Sequence, residues 1–124
     1  QNTDKKYSIV HALDGYDEIS LTGQTKVISN HAETMFSPED LGLSEITQES
    51  IFGGNTVESS AKIFMDIIQG KGTEQQNNVV CANAGLAIAT TNQIDHKLGF
   101  EMAKESLLSG KGLKALQTIQ ELSK

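Results

Sequence analysis

The run Tyr7-Ser8-Ile9-Val10-His11 is short and rich in β-branched residues, which predicts a strand over residues 7–11. Ile19, Leu21 and Val27 then alternate with polar residues around a turn at Gly23-Gln24. Residues 32–36 follow Asn30-His31 as a returning strand. Threonine and β-branched residues crowd this stretch, so it reads as a small antiparallel β-meander and not as a helix. The strand over residues 7–10 has the apolar character of a buried one and would want parallel neighbours, which the chain does not obviously supply.

The period changes after Ser37-Pro38-Glu39-Asp40. Serine as N-cap, proline at the first helical position and two acids at the positive end of the dipole start a helix there. Ser44 follows so closely that a single turn is expected. A longer helix starts at Gly53-Gly54-Asn55-Thr56-Val57-Glu58, with Asn55 as the expected N-cap and Glu58 completing a capping box. Val57, Ala61, Phe64 and Ile68 form its apolar stripe, and Gly70 ends it. Residues 79–91 are small and apolar on nearly every face, which predicts a helix buried on several sides. Another is expected over residues 95–108, with Phe100, Ala103 and Leu107 inward and Gly110 as its stop. The last spans residues 113–122, with Ala115, Leu116, Ile119 and Leu122 on one stripe. Strands first and helices later give an α+β class for the chain taken by itself.

Composition narrows the function. At 124 residues the chain suffices for one domain, yet only 37% of it is apolar and it has no tryptophan, so part of a core is expected to be missing. A net charge of −6 argues against a general nucleic-acid surface or an anionic membrane as partner. A single cysteine, Cys81, allows no internal disulfide and fits a reducing, cytoplasmic compartment. No apolar run approaches the roughly 20 residues of a membrane span. The opening QNTDKKYSI lacks an initiator Met and the shape of a signal peptide, and reads as cut from a longer chain.

Candidate chemistry concentrates in HALDGYDEISLTG, residues 11–23, where Asp14, Asp17 and Glu18 fall within five positions. Magnesium takes one or two carboxylates and fills its other positions with water and phosphate oxygens, so Asp17-Glu18 on a loop leaving a strand would suit it. A solvated acidic loop with a turn at Asp14-Gly15 accounts for the same residues. Gly53-Gly54 before a capped helix is a possible phosphate cradle or ordinary punctuation. Cys81 reads as an inert buried thiol. His11, His31 and His96 share no ligand spacing for zinc, although His11 lies beside the acids. Asn83, on an apolar helix, must find a hydrogen-bond partner. Lys5-Lys6 and the pair Lys111 and Lys114 read as solvated ends.

Taken in order, these segments resemble a known family. VHALDGYDEISLTGQTKV is similar to the DG-x-DE-x-SLTG-x-T motif of the anthranilate phosphoribosyltransferases. SPEDLGL, GGNTVESSA, NVVCANAGLAIA and SLLSGKGLKALQTI resemble that family's later motifs in the same order. Departures are Asn55 and Asn78 where the family has Asp, and Ser59 where it has Asn.

The resemblance implies a magnesium-dependent pentosyltransferase of the nucleoside-phosphorylase type, with a helical domain and a larger α/β domain. Residues 1–124 would be the C-terminal part of the α/β domain: a sheet strand, the meander, then three to four helices. It further implies that Asp17 and Glu18 bind Mg²⁺ engaging the pyrophosphate of phosphoribosyl pyrophosphate, with anthranilate as the acceptor in tryptophan biosynthesis. The helical domain with its homodimer contact, the phosphate-loop region and the catalytic residues would lie upstream, leaving this chain inert alone. The competing expectations are a pyrimidine-nucleoside phosphorylase relative and a non-catalytic domain that binds a metal or partner.

Overall fold

The computed structural model describes residues 4–124; Gln1-Asn2-Thr3, part of the opening read for signal-peptide shape, lies outside the described residues. Three strands come first, β1 (Ser8–Ala12), β2 (Thr25–Ser29) and β3 (Glu33–Phe36). Two short 3-10 turns follow, Pro38–Leu41 and Gln48–Ile51, and then four helices. These are α1 (Val57–Ile68), α2 (Glu74–Asn92), α3 (His96–Leu108) and α4 (Lys111–Leu122). The expected meander is present as an antiparallel sheet in the order β1-β2-β3, with Val10 opposite Val27 and Val27 opposite Thr34. β1 therefore has an antiparallel neighbour instead of the parallel ones its apolar run suggested. Its other edge meets no strand among the described residues.

Ile19 and Leu21 are not in a strand, despite their alternation with polar residues. They lie in the irregular segment between β1 and β2 and are 0% and 1% exposed. Leu21 adopts φ +60°, a left-handed value that a pleated strand cannot accommodate. With Val27, Phe36, Leu41, Cys81, Ala82 and Phe100 they form the main core between the sheet, α2 and α3.

The helix caps follow local chemistry, though not always at the residue expected. The N-cap of α1 is Thr56, not Asn55: Thr56 Oγ1 accepts the Ser59 N–H at 3.0 Å. Ser59 Oγ in return takes the Thr56 N–H at 3.0 Å and the Asn55 N–H at 3.2 Å, the work expected of Glu58. Gly54 at φ +92° turns the chain so that it enters the helix one residue later. α2 begins five residues before the apolar run, at a second reciprocal box between Thr73 and Gln76. At Pro38–Leu41 the Asp40 carboxylate reaches back to the Ser37 N–H at 2.8 Å.

Burial departs from expectation more than helix placement does. α3 turns Phe100, Ala103 and Leu107 inward as predicted. α2 buries only the face carrying Cys81, Ala82, Gly85 and Ala89, while Val80, Ala84 and Ala87 remain exposed. Only part of its circumference meets the sheet and α3, so apolarity all round does not bring burial all round. In α1, Val57 and Phe64 are exposed while Ile63 and Ile67 are half-buried. In α4, Ile119 and Leu122 of the expected stripe are 61% and 82% exposed.

α2 and α3 cross through glycines. A Cβ on Gly99 would lie 2.2 Å from the Gly85 carbonyl oxygen, and one on Gly85 would lie 2.5 Å from the Phe100 nitrogen. This close crossing brings the middle of α2 against the core beneath the loop that leaves β1.

Candidate functional site

That loop spans residues 13–24 and is closed at its base by the Leu13 N–H donating to the Gln24 carbonyl at 3.0 Å. Gly15, at φ +104°, allows the chain to turn, and its N–H donates to the Ala12 carbonyl at 3.0 Å. The Ala12 N–H donates to the Tyr16 carbonyl at 3.0 Å, which anchors the backbone just before the acidic pair. Just after the pair, the Ile19 N–H and carbonyl both bond the Asn83 side chain, at 2.9 and 2.8 Å. The Leu21 carbonyl accepts the Ile46 N–H at 3.0 Å, which holds the left-handed residue in place.

Asp14 does more than form a turn. Its carboxylate accepts hydrogen bonds from the Ser20 and Thr22 hydroxyls, which lie 2.7 Å from each other. Asp14 thus ties the first part of the loop to its return, and its oxygens are engaged in doing so. Asp17 and Glu18 are different: both are exposed, and among the described residues neither accepts a hydrogen bond or joins an ion pair. Two adjacent, unengaged carboxylates stand on a backbone held on either side. Their hard anionic oxygens match what Mg²⁺ prefers, with room for water and phosphate to complete its shell. Among the described residues no group of three or more His, Cys, Asp and Glu gathers into an all-protein metal site.

Glu18 also lines a cleft of about 400 Å³, with Tyr16, Ile51, Val79 and Asn83. A neighbouring cleft of about 580 Å³ shares Tyr16 and Ile51 and extends to Gln48, Phe52 and Gly53. The acidic loop therefore faces a concave, largely apolar surface toward the turn before α1. A third cleft, about 310 Å³, includes Lys6, His31 and His96 but no residue of the acidic loop.

The other sequence candidates lie elsewhere or are already engaged. His96 Nε2 lies 2.9 Å from the Ala82 carbonyl, and its ring packs on Phe36 with centroids 4.8 Å apart. His11 and His31 are exposed. At Gly53-Gly54, the Gly53 carbonyl accepts from Ser60 Oγ at 2.7 Å, and Ser59 Oγ takes the following Asn55 and Thr56 amides. An anion would have to displace Ser59 Oγ from the Asn55 and Thr56 amides. Cys81 is 2% exposed, and burial pushes its thiol above the ordinary value, with Lys104 opposing and Glu101 adding to the effect. Thiolate is the reactive form, so Cys81 is expected to resist a thiol reagent such as dithionitrobenzoate in the native chain and to react fully in denaturant. Rapid native labelling would mean that the α2–α3 contact opens readily.

Asn83, Leu21 and Ile46 hold the loop in roles that the sequence does not assign, and Asp14, expected only at a turn, also ties the loop's two arms. Asn83 carries a signal as a polar side chain on an apolar helix, whereas Leu21 and Ile46 carry none.

The chain is similar to known proteins along nearly its whole length. The anthranilate phosphoribosyltransferase of Flavobacterium johnsoniae is 62% identical over 123 residues, covering 99% of this chain and 37% of the relative. This chain thus spans a little over a third of that relative's length. The crystal structure of anthranilate phosphoribosyltransferase from Thermus thermophilus superposes with a TM-score of 0.79 at 26% identity, over 90% of this chain and 33% of that one. The Saccharomyces cerevisiae enzyme in complex with PRPP and Mg shares the fold, with a TM-score of 0.74 at 24% identity, over 89% and 32%. Residues 3–113 match the glycosyl transferase family a/b domain, and the chain belongs to that family.

Proposed function

We propose that this chain is the C-terminal part of the α/β domain of a cytoplasmic anthranilate phosphoribosyltransferase, and that Asp17 and Glu18 bind its Mg²⁺. The observation that carries the metal reading is the pair of adjacent, unengaged carboxylates, Glu18 lining a cleft, on backbone anchored at Tyr16 and Ile19. Similarity to a named relative along nearly the whole chain supports the reaction, as does a fold-mate that binds PRPP and Mg. In that reaction the anthranilate amine displaces pyrophosphate from the anomeric carbon of phosphoribosyl pyrophosphate. Bound magnesium supplies charge stabilisation for the departing pyrophosphate. The chain's part is to hold the two carboxylates side by side, with Glu18 at the cleft, and to keep Asp14 occupied with Ser20 and Thr22, so that it does not compete for the ion. Residues touching the reacting carbon and the anthranilate ring, and the homodimer contact, belong on this reading to the remainder of a longer protein. No helix of the described residues is long and apolar enough to cross a membrane. The net charge of −6 offers no general attraction to nucleic acid.

A chimera tests the proposal. Residues 1–124 would replace the matching segment of the Flavobacterium johnsoniae enzyme, and phosphoribosyl-anthranilate formation would be followed by fluorescence. Magnesium-dependent turnover is expected from the chimera, and none from the 124-residue chain by itself. A folded chimera without activity would overturn the functional reading. Turnover by the isolated chain would overturn the assignment of the reacting-centre contacts to other residues.

A further inference from the structure

Asn83 lies at mid-helix on α2, 64 positions from Ile19, and its amide makes three hydrogen bonds. Oδ1 accepts the Ile19 N–H at 2.9 Å, and Nδ2 donates to the Ile19 carbonyl at 2.8 Å and to the Val79 carbonyl at 2.9 Å. Both donor hydrogens are used. The reverse amide orientation would set donor against donor and acceptor against two carbonyls, so the network itself selects this one. Two of the three bonds fall on the two polar groups of one residue, as a neighbouring strand would supply them. Ile19 is in no strand and is 0% exposed, so without Asn83 its peptide groups would be buried without these partners. The bond to Val79 returns to the preceding turn of α2 and fixes the side chain's direction.

The position of this clamp is what matters. Asp17 and Glu18 are the two residues between the anchor at Tyr16 and the anchor at Ile19. Beyond Ile19, Ser20 is 2% exposed and Leu21 is held at φ +60°, so the segment after the acids cannot slide without breaking a buried arrangement. Resting on the magnesium reading above, we infer that Asn83 is a positioning residue for the metal: it fixes Ile19 so that Asp17 and Glu18 present their oxygens in one arrangement. A side chain with a merely structural role would change stability and leave metal affinity alone. A positioning side chain changes metal affinity while the helices stay intact.

The test uses isotopically labelled 124-residue chain and Mn²⁺, whose unpaired electrons broaden the amide signals of nearby residues. In the parent, the signals of residues 16–20 are expected to broaden selectively, and Asp17→Asn is expected to abolish this. Asn83→Ala is expected to keep the α3 and α4 signals in place, to expose the Ile19 amide to faster exchange, and to need about ten-fold more Mn²⁺ for equal broadening. Should the alanine variant not fold, Asn83→Ser carries the test. Its hydroxyl can keep the bond to the Val79 carbonyl but is too short to hold Ile19. An unchanged Mn²⁺ midpoint in a folded Asn83 variant, with broadening still abolished by Asp17→Asn, overturns the positioning role alone. Absence of loop-selective broadening in the parent overturns the magnesium reading and the positioning role with it. Unfolding of both Asn83 variants marks the residue as structural and also counts against the inference.

Discussion

Gly99→Ala is expected to destabilise the chain by about 3 kcal/mol or more, by overpacking at the α2–α3 crossing. At an ordinary helical position the same change stabilises by about 1 kcal/mol, because glycine carries the larger conformational entropy cost. Here the sign reverses, since the new methyl would stand 2.2 Å from the Gly85 carbonyl oxygen, a backbone atom that cannot rotate aside. The helices would have to separate, and Phe100, 2% exposed and adjacent to Gly99, would leave its place in the core. Gly112→Ala is the matched control. A Cβ there would meet Ile68 Cδ1 at 3.4 Å, an ordinary contact with the end of a flexible side chain, so about 0.5 kcal/mol of stabilisation is expected. Urea denaturation of the two variants and the parent checks both signs. Equal stability of Gly99→Ala and the parent would mean that the helices do not cross this closely.

Neutralising the acidic pair is expected to damage function and spare the fold. In the chimera, Asp17→Asn combined with Glu18→Gln should lower kcat/KM about a hundred-fold or more, several kcal/mol of lost stabilisation of developing charge. Both side chains are exposed and make no bond among the described residues, so the stability change should stay within about 0.5 kcal/mol. The combination is diagnostic: lost turnover with an unmoved Tm points to ligand loss and not to unfolding. Full activity in the double variant at low Mg²⁺ would remove the pair from the metal site.

The contrast between these two predictions tracks what could be read from the chain. Asp17 and Glu18 stood out because two carboxylates in a short loop are chemically conspicuous, and no tertiary knowledge is needed to notice them. Asp14 was equally conspicuous but resolves differently, since its carboxylate is occupied by Ser20 and Thr22 in the folded loop. Asn83 could be flagged as needing a partner, yet nothing near it in sequence names Ile19. The start of α2 was missed for a local reason. The Thr73-to-Gln76 box precedes a polar first turn, EQQNN, and apolar periodicity only becomes visible at Val79.

Strand runs, the inward face of α3, the early single turn and the acidic pair all follow from the sequence by itself. They depend on side-chain period, capping groups and charge within a few neighbouring residues, interactions whose range is shorter than one helical turn. Tertiary structure alone decided that Ile19 and Leu21 leave the strand pattern, that the stripes of α1 and α4 stay largely exposed, and that Asn83 grips the loop from 64 positions away. An apolar or polar side chain states what kind of partner it requires; only the packed chain determines whether that partner arrives, and from where.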